Sequence, residues 1–71
     1  MQVFVKVCNS KTFLFDIEYL QQVKELKDMI EVKTKIPRKY QKLIYNGRLI
    51  EEDDNIKFRH GDTMFCNVFI Q

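Results

Sequence analysis

Few side chains in this 71-residue sequence have the types and spacing that catalysis or metal binding requires. A thiol nucleophile needs a base beside it, so Cys66 and His60 would form such a pair only if Cys66 were exposed. The alternation of the C-terminal segment instead points Cys66 inward. His60 is the single histidine, without a second ligand at metal spacing, and the acidic run 51–54 lacks the glycine and alternating ligands of a calcium loop. We therefore expect no catalytic residue, no metal site and no cofactor, and hence no enzyme.

The composition favours one small folded domain over residues 1–71. Hydrophobic residues make up 45% of the chain, with six Phe and three Tyr, while two Gly and one Pro argue against low complexity or disorder. A chain of this length buries only about 60% of the surface that its unfolded form exposes. It can therefore hold one compact core but no deep active-site cleft.

Charge and hydropathy exclude several classes of partner. Twelve basic and ten acidic residues are interleaved and give a net charge of +2, far from the one-sided basic stripe of a nucleic-acid-binding protein. No apolar run reaches about 18 residues and the N-terminus has no signal-peptide pattern, so we expect no membrane segment and a cytoplasmic or nuclear protein. In such a compartment Cys8 and Cys66 are expected to be unpaired thiols.

The N-terminal quarter of the chain predicts a β-hairpin. Residues 1–7 place every second apolar side chain on one face, which is the period of a half-buried strand. The turn that follows contains Asn9, the residue there best able to adopt positive φ. A second strand is then expected over 12–18, with its three odd-numbered apolar side chains directed inward.

An amphipathic helix is expected from about Gln22. Val23, Leu26 and Ile30 recur at spacings of three and four, which places them on one face. Gln22 is a weak N-cap residue, and Lys35 stands where a glycine commonly ends a helix, so we expect a frayed first turn and a left-handed Lys35. Opposite charges one turn apart are expected to pair along this helix: Lys24 with Asp28, Lys27 with Glu31, and Glu31 with Lys35.

A second hairpin follows the helix. Ile36-Pro37 stops the helix, because proline cannot continue it. Two short strands, 41–45 and 48–50, then flank Asn46-Gly47, which is a strong signal for a two-residue turn.

The remaining residues complete an α+β fold. The polar stretch 51–62 contains two apolar anchors, Ile56 and Phe58, and leads into a last strand expected over 63–70. The order is therefore strand, strand, helix, strand, strand, strand. One sheet packed on one helix is the economical way to bury these faces, an α+β roll.

This sequence resembles the ubiquitin family over almost its whole length. The likeness rests on joint spacing, nearly without gaps, up to about residue 52. The matching positions are residues 1–6, Lys11, Thr12, Glu18, Lys27, Ile30, Lys33, Ile36-Pro37, 41–47 and Glu51. The resemblance implies the β-grasp fold, in which a mixed sheet packs on one amphipathic helix.

The resemblance also implies a binding surface for protein partners on the outer face of the sheet. In the family this surface is centred on the position of Ile44, beside the glycine that is Gly47 here. Other positions depart from ubiquitin, with Cys8, Phe65 and Asn67 replacing a leucine, a histidine and a valine. The alternative is that an exposed Ile44 beside Phe65 is one of the scattered apolar side chains found on any surface.

Basic residues are expected to rim this surface and to favour an acidic protein partner. They are Lys6, Lys42 and Arg48. A second outward pair, Phe4 and Leu14, would lie on the same face across the first hairpin. This pair is either a further contact site or a cross-strand pair that stabilises the sheet.

The chain ends at Gln71 without the Gly-Gly tail that activating enzymes require, so we expect a domain that is not conjugated to other proteins. The leading hypothesis is a monomeric module, the N-terminal part of a longer protein, that binds ubiquitin receptors, proteasome subunits or other ubiquitin-pathway proteins. One alternative is a modifier or sulfur carrier whose Gly-Gly tail lies beyond Gln71. The other is a scaffold that self-associates through Ile44, Phe65 and Phe69.

Overall fold

The structure is a computed structural model, which describes residues 1–69. Its elements occur in the predicted order, with a short 3₁₀ turn between the helix and the third strand. The last strand ends at Val68, so the predicted strand over 63–70 was too long at Phe69, while Ile70 lies outside the described residues. The elements are β1 (Gln2–Val7), β2 (Lys11–Asp16), α1 (Val23–Thr34), the 3₁₀ turn (Arg38–Tyr40), β3 (Gln41–Tyr45), β4 (Arg48–Ile50) and β5 (Thr63–Val68).

The strands form one mixed sheet in the order β2-β1-β5-β3-β4. The central pair β1 and β5 is parallel, whereas the other three pairs are antiparallel. The β1–β2 hairpin therefore lies on one side of β5 and the β3–β4 hairpin on the other. This arrangement confirms the mixed sheet with one helix, an α+β fold of the β-grasp type.

The core lies between the helix and one face of the sheet. Every second residue of β1 and β3 is buried, as the alternation predicts, and so are Met64 and Cys66 of β5, whereas Val68 at the end of β5 is exposed. The two anchors Ile56 and Phe58 are buried as well. Because one face of the sheet is used in this way, the intervening residues face solvent. The core side chains are Val3, Val5, Val7, Phe15, Ile17, Val23, Leu26, Ile30, Leu43, Tyr45, Ile50, Ile56, Phe58, Met64 and Cys66.

Left-handed residues shape the turns. Lys35 directly follows α1 with φ 67° and ψ 10°, and its N–H donates to the Glu31 carbonyl, so the expected cap is confirmed. In the first hairpin Asn9 has φ 55°, as predicted, and Cys8 also has a positive φ of 51°. Two successive positive φ values are typical of the tight turns whose twist matches that of the strands.

Three charged residues of α1, Lys27, Asp28 and Glu31, contact the chain beyond the helix rather than one another. The Asp28 carboxylate lies 3.1 Å from a guanidinium nitrogen of Arg38, and the Arg38 backbone N–H donates to Glu31. Lys27 Nζ lies 4.0 Å from the Glu52 carboxylate. The expected pairing along the helix was therefore wrong. The chain folds back after Pro37 and brings other partners to Lys27, Asp28 and Glu31, whereas Lys24 and Lys35 form no ion pair with the described residues.

No helix within residues 1–69 is both long enough and apolar enough to cross a membrane.

Candidate protein interface

The outer face of the sheet carries a row of three apolar side chains on neighbouring strands. Phe65 in β5 lies directly opposite Ile44 in β3, and Ile44 lies directly opposite Leu49 in β4. Directly opposed side chains have Cβ atoms about 4.5–5.5 Å apart, so the three are in lateral contact. We call these three residues the outer row.

The outer row is accessible to a partner. Phe65 and Leu49 are 41% and 47% exposed, whereas Ile44 is half-buried. Ile44 is the most covered because it has an apolar neighbour on each side. A central side chain covered by flanking aromatic and aliphatic groups is the usual arrangement at the middle of a protein interface.

Leu49 is a member of the row that our sequence analysis missed. Its position follows from the Asn46-Gly47 turn, whose two residues have φ values of 52° and 79°. A two-residue turn fixes the strand register, so Tyr45 must face Arg48 and Ile44 must face Leu49. The signal was therefore present in the sequence, in the length of the turn rather than in any motif.

Two lysines lie beside the outer row. Lys6 is opposite Phe65 across the parallel pair β1 and β5. Lys42 is opposite Asn67, and its Nζ lies 4.1 Å from the centroid of the Phe69 ring. An ammonium group at this distance is attracted by the face of an aromatic ring. The apolar row is therefore flanked by positive charge on the same face.

Arg48 and Gly47 lie at the β3–β4 turn. Arg48 is exposed, but its register partner is the buried Tyr45, so its Cβ lies on the opposite side of the strand pair from the outer row. Gly47 is exposed, and a Cβ at this position would meet no atom within 4 Å. The need for glycine here therefore comes from its positive φ, not from crowding.

Cys8 and Asn67 lie near the C-terminal ends of the parallel strands β1 and β5. Cys8 is an exposed turn residue, and its N–H donates to the Cys66 carbonyl at 2.9 Å. Asn67 is two residues beyond Phe65 and is exposed on the same face. The structure places both next to the outer row rather than within it.

Phe4 and Leu14 form a second apolar pair on the outer face. They are directly opposite each other in β1 and β2 and are 39% and 50% exposed. Phe4 is also opposite Thr63, which is two residues before Phe65 on β5. The pair and the outer row therefore share one face, with Thr63 and Lys6 between them.

The thiol and the histidine considered above do not form a reactive pair. Cys66 is fully buried, and burial raises its pKa to about 11, so the thiol is protonated near neutral pH. His60 Nδ1 accepts the N–H of Gln2 at 3.1 Å. Both cysteines are free thiols. Within residues 1–69 no three His, Cys, Asp or Glu side chains are grouped as metal ligands would be.

Tyr45 and Asp62 join the end of β3 to the start of β5 beneath the sheet. The Tyr45 hydroxyl donates to the Asp62 carboxylate, and the backbone N–H of Arg59 donates to the same oxygen at 2.8 Å. Burial, together with this hydrogen bond, raises the pKa of Tyr45. The contact gives the hydroxyl of this buried phenol a hydrogen-bond acceptor.

Comparison with known proteins gives a consistent result. The chain matches the family model described as "Ubiquitin family" over residues 3–62. It is 40% identical over 60 residues to UV excision repair protein RAD23 homolog B of Homo sapiens, covering 80% of this chain and 15% of that protein. It is 39% identical over 57 residues to large proline-rich protein bag6 of Xenopus tropicalis, covering 80% of this chain and 5% of that protein. The chain thus spans only a small part of these relatives.

Proposed function

This chain belongs to the ubiquitin family, and we propose on that basis that it is a protein-interaction domain of the ubiquitin–proteasome system. The observation that carries the proposal is the outer row, Phe65, Ile44 and Leu49, which is apolar, continuous over three strands and open to solvent. In the isolated domain much of the surface of Phe65 and Leu49 remains in contact with water. A partner that covers them would gain the burial free energy that the isolated domain forgoes.

The charges beside the row indicate the chemistry of the partner. Lys6 and Lys42 project from the same face as the row, and neither has a carboxylate partner among the described residues. An apolar partner surface with carboxylates at its edge would satisfy both features. We propose ubiquitin receptors or proteasome subunits as the class that supplies it, and a single copy of this chain as the binding unit.

The test is capture of a purified partner by the immobilised domain. Leu49→Ser removes an exposed end of the row, and Ile44→Ala removes its centre. Each should weaken binding of a purified proteasome or ubiquitin receptor by about 1–3 kcal/mol, the usual cost of truncating an interface anchor. Val32→Ser is the matched control, because Val32 is 76% exposed on the helix and far from the row in the fold.

Leu49→Ser is the more decisive of the two substitutions. Leu49 is nearly half exposed, so its replacement should change the melting temperature little, whereas the half-buried Ile44 also contributes to packing. Equal capture by wild type, Leu49→Ser and Ile44→Ala would show that this face is not the binding surface.

A further inference from the structure

A second exposed apolar feature lies outside the sheet, at the turn between β2 and α1. Tyr19 and Leu20 are 56% and 62% exposed, more than any residue of the outer row. The turn is held from both sides, because Gln21 N–H donates to the Glu18 carbonyl and Glu18 N–H donates to Gln21 Oε1. Gln21 Nε2 also donates to Glu25 in the first turn of α1. Tyr19 and Leu20 are therefore presented at the tip of a fixed turn.

Neither local conformation nor packing explains these two residues. Turn tips favour Gly, Pro, Asn, Asp and Ser, each for a conformational reason that Tyr and Leu do not share. Tyr19 and Leu20 do not belong to the core cluster either. Single exposed apolar residues are normal, but two consecutive ones on a hydrogen-bonded turn form a small rigid apolar knob.

A cleft of about 140 Å³ lies next to this knob. Leu20 and Ile56 supply apolar wall, and Asp54 supplies a carboxylate. The Asp54 Oδ2 atom accepts the Glu51 N–H at 2.8 Å, which fixes the side chain while the other oxygen has no hydrogen-bond donor among the described residues. Sites for small-molecule ligands usually enclose about 300 Å³ or more, so this cleft is the size for a single side chain.

Among the described residues, Asp54 is the one charged side chain in the wall of the cleft. Its exposed neighbours in sequence are the acidic Glu18 and Asp53 and the basic Lys57, so carboxylates outnumber ammonium groups around the cleft. No Lys or Arg is among the described residues that line it. A lysine or arginine side chain combines an apolar stem with a cationic head, which matches apolar walls with a carboxylate at the rim.

We propose that the Tyr19–Leu20 turn and this cleft form a second docking surface, whose occupant is a basic peptide segment of a partner protein. One lysine or arginine of the segment enters the cleft and places its cationic head at Asp54, while a neighbouring apolar residue packs on Tyr19 and Leu20. The surface shares no residue with the outer row, and its charge is opposite to that of Lys6 and Lys42. The domain would thus select two partners of opposite charge.

In the experiment, the ¹⁵N-labelled chain is titrated with a short basic peptide composed of lysine, arginine, leucine and serine. The matched control peptide has glutamate in place of every basic residue. The basic peptide should shift the backbone amide signals of Leu20, Gln21, Asp54 and Asn55, and the control peptide should not. Asp54→Asn keeps an oxygen for the Glu51 N–H but removes the charge, so it should weaken binding roughly fivefold or more without unfolding the turn.

Two further variants separate this surface from the rest of the molecule. Leu20→Ser should weaken binding of the basic peptide, whereas Val32→Ser, at an even more exposed apolar position on the helix, should not. Leu49→Ser should also leave it unchanged, so the result does not depend on the outer row. The proposal is overturned by no shifts at millimolar peptide, by equal response to the glutamate peptide, by shifts centred on the outer row, or by sedimentation showing that a second copy covers the turn.

Discussion

Lys35 occupies a backbone conformation that costs an L-residue free energy. It follows α1 with φ 67°, where glycine would be free of the clash between Cβ and the carbonyl. Lys35→Gly should therefore leave the free energy of unfolding unchanged or raise it by up to about 1 kcal/mol, because relief of strain offsets the extra entropy of the unfolded chain. Urea denaturation measures this difference.

Lys33→Gly is the matched control for that substitution. Lys33 lies in the last turn of α1 with helical geometry, so glycine there should destabilise the domain by about 1 kcal/mol. The changes in the free energy of unfolding that Lys35→Gly and Lys33→Gly cause should thus differ in sign or at least in size. If Lys35→Gly were as destabilising as Lys33→Gly, the left-handed cap would not be the strained feature described here.

Burial of Cys66 predicts a loss of stability in alkali. Its pKa is about 11 in the folded domain against 9.0 for an ordinary thiol, so the folded state holds the proton more tightly. The free energy of unfolding that this pKa difference contributes is fully present below about pH 9 and is lost as the pH rises towards 11. The raised pKa of Tyr45 acts in the same direction.

The measurement is urea denaturation of Cys66→Val across this pH range. The variant should lose less stability than the wild type between pH 9 and 11, because valine has no proton to release. Met64→Leu, at the neighbouring inward position of β5, is a control that should keep the wild-type dependence. Identical slopes for Cys66→Val and wild type would contradict the assigned cause.

At the level of elements, the second apolar pair, Phe4 and Leu14, is expected to stabilise the sheet itself. The two side chains are directly opposite in β1 and β2, so their contact should stabilise the fold even if no partner touches it. A double-mutant cycle with Phe4→Ala and Leu14→Ala should give a coupling free energy of about 0.2–1 kcal/mol in the isolated domain. A coupling free energy of zero would show that the contact between Phe4 and Leu14 does not stabilise the sheet.

The hairpins show which elements the sequence could predict. The bounds of β3 and β4 agree with the structure because Asn46-Gly47 fixes both the turn and the strand ends beside it. The helix charges were paired wrongly because Arg38 and Glu52 reach them only after the chain has folded back. Local spacing contains no information about such partners, so periodicity predicts the elements better than their ionic contacts.

The candidate interface was likewise predictable in part from the sequence, and the rest depended on strand register. Ile44 and Phe65 were identified through family resemblance and alternation, and the register places them opposite each other. Leu49 was recoverable from the turn length but was missed, and Arg48 was expected at the rim although its register partner is the buried Tyr45. Position on a face depends on register, which a single residue's chemistry does not reveal.

At the scale of the whole molecule, the small core leaves one sheet face and several connections available for binding. The outer row carries neighbouring positive charge, whereas the Tyr19–Leu20 turn carries negative charge. The net charge of +2 does not reveal that positive and negative charges lie beside different surfaces. We therefore expect partners of this domain to bind its surface rather than a cavity.

We expect partners to bind the outer row, and a chemical-shift map locates the contact residue by residue. The ¹⁵N-labelled chain is titrated with a purified ubiquitin-binding domain, and the shift of each backbone amide is recorded. This binding mode predicts the largest shifts at Lys6, Ile44, Gly47, Leu49 and Phe65, and their loss in Leu49→Ser. Largest shifts on the helix around Val32 and Lys35, or shifts that Leu49→Ser leaves unchanged, would contradict it.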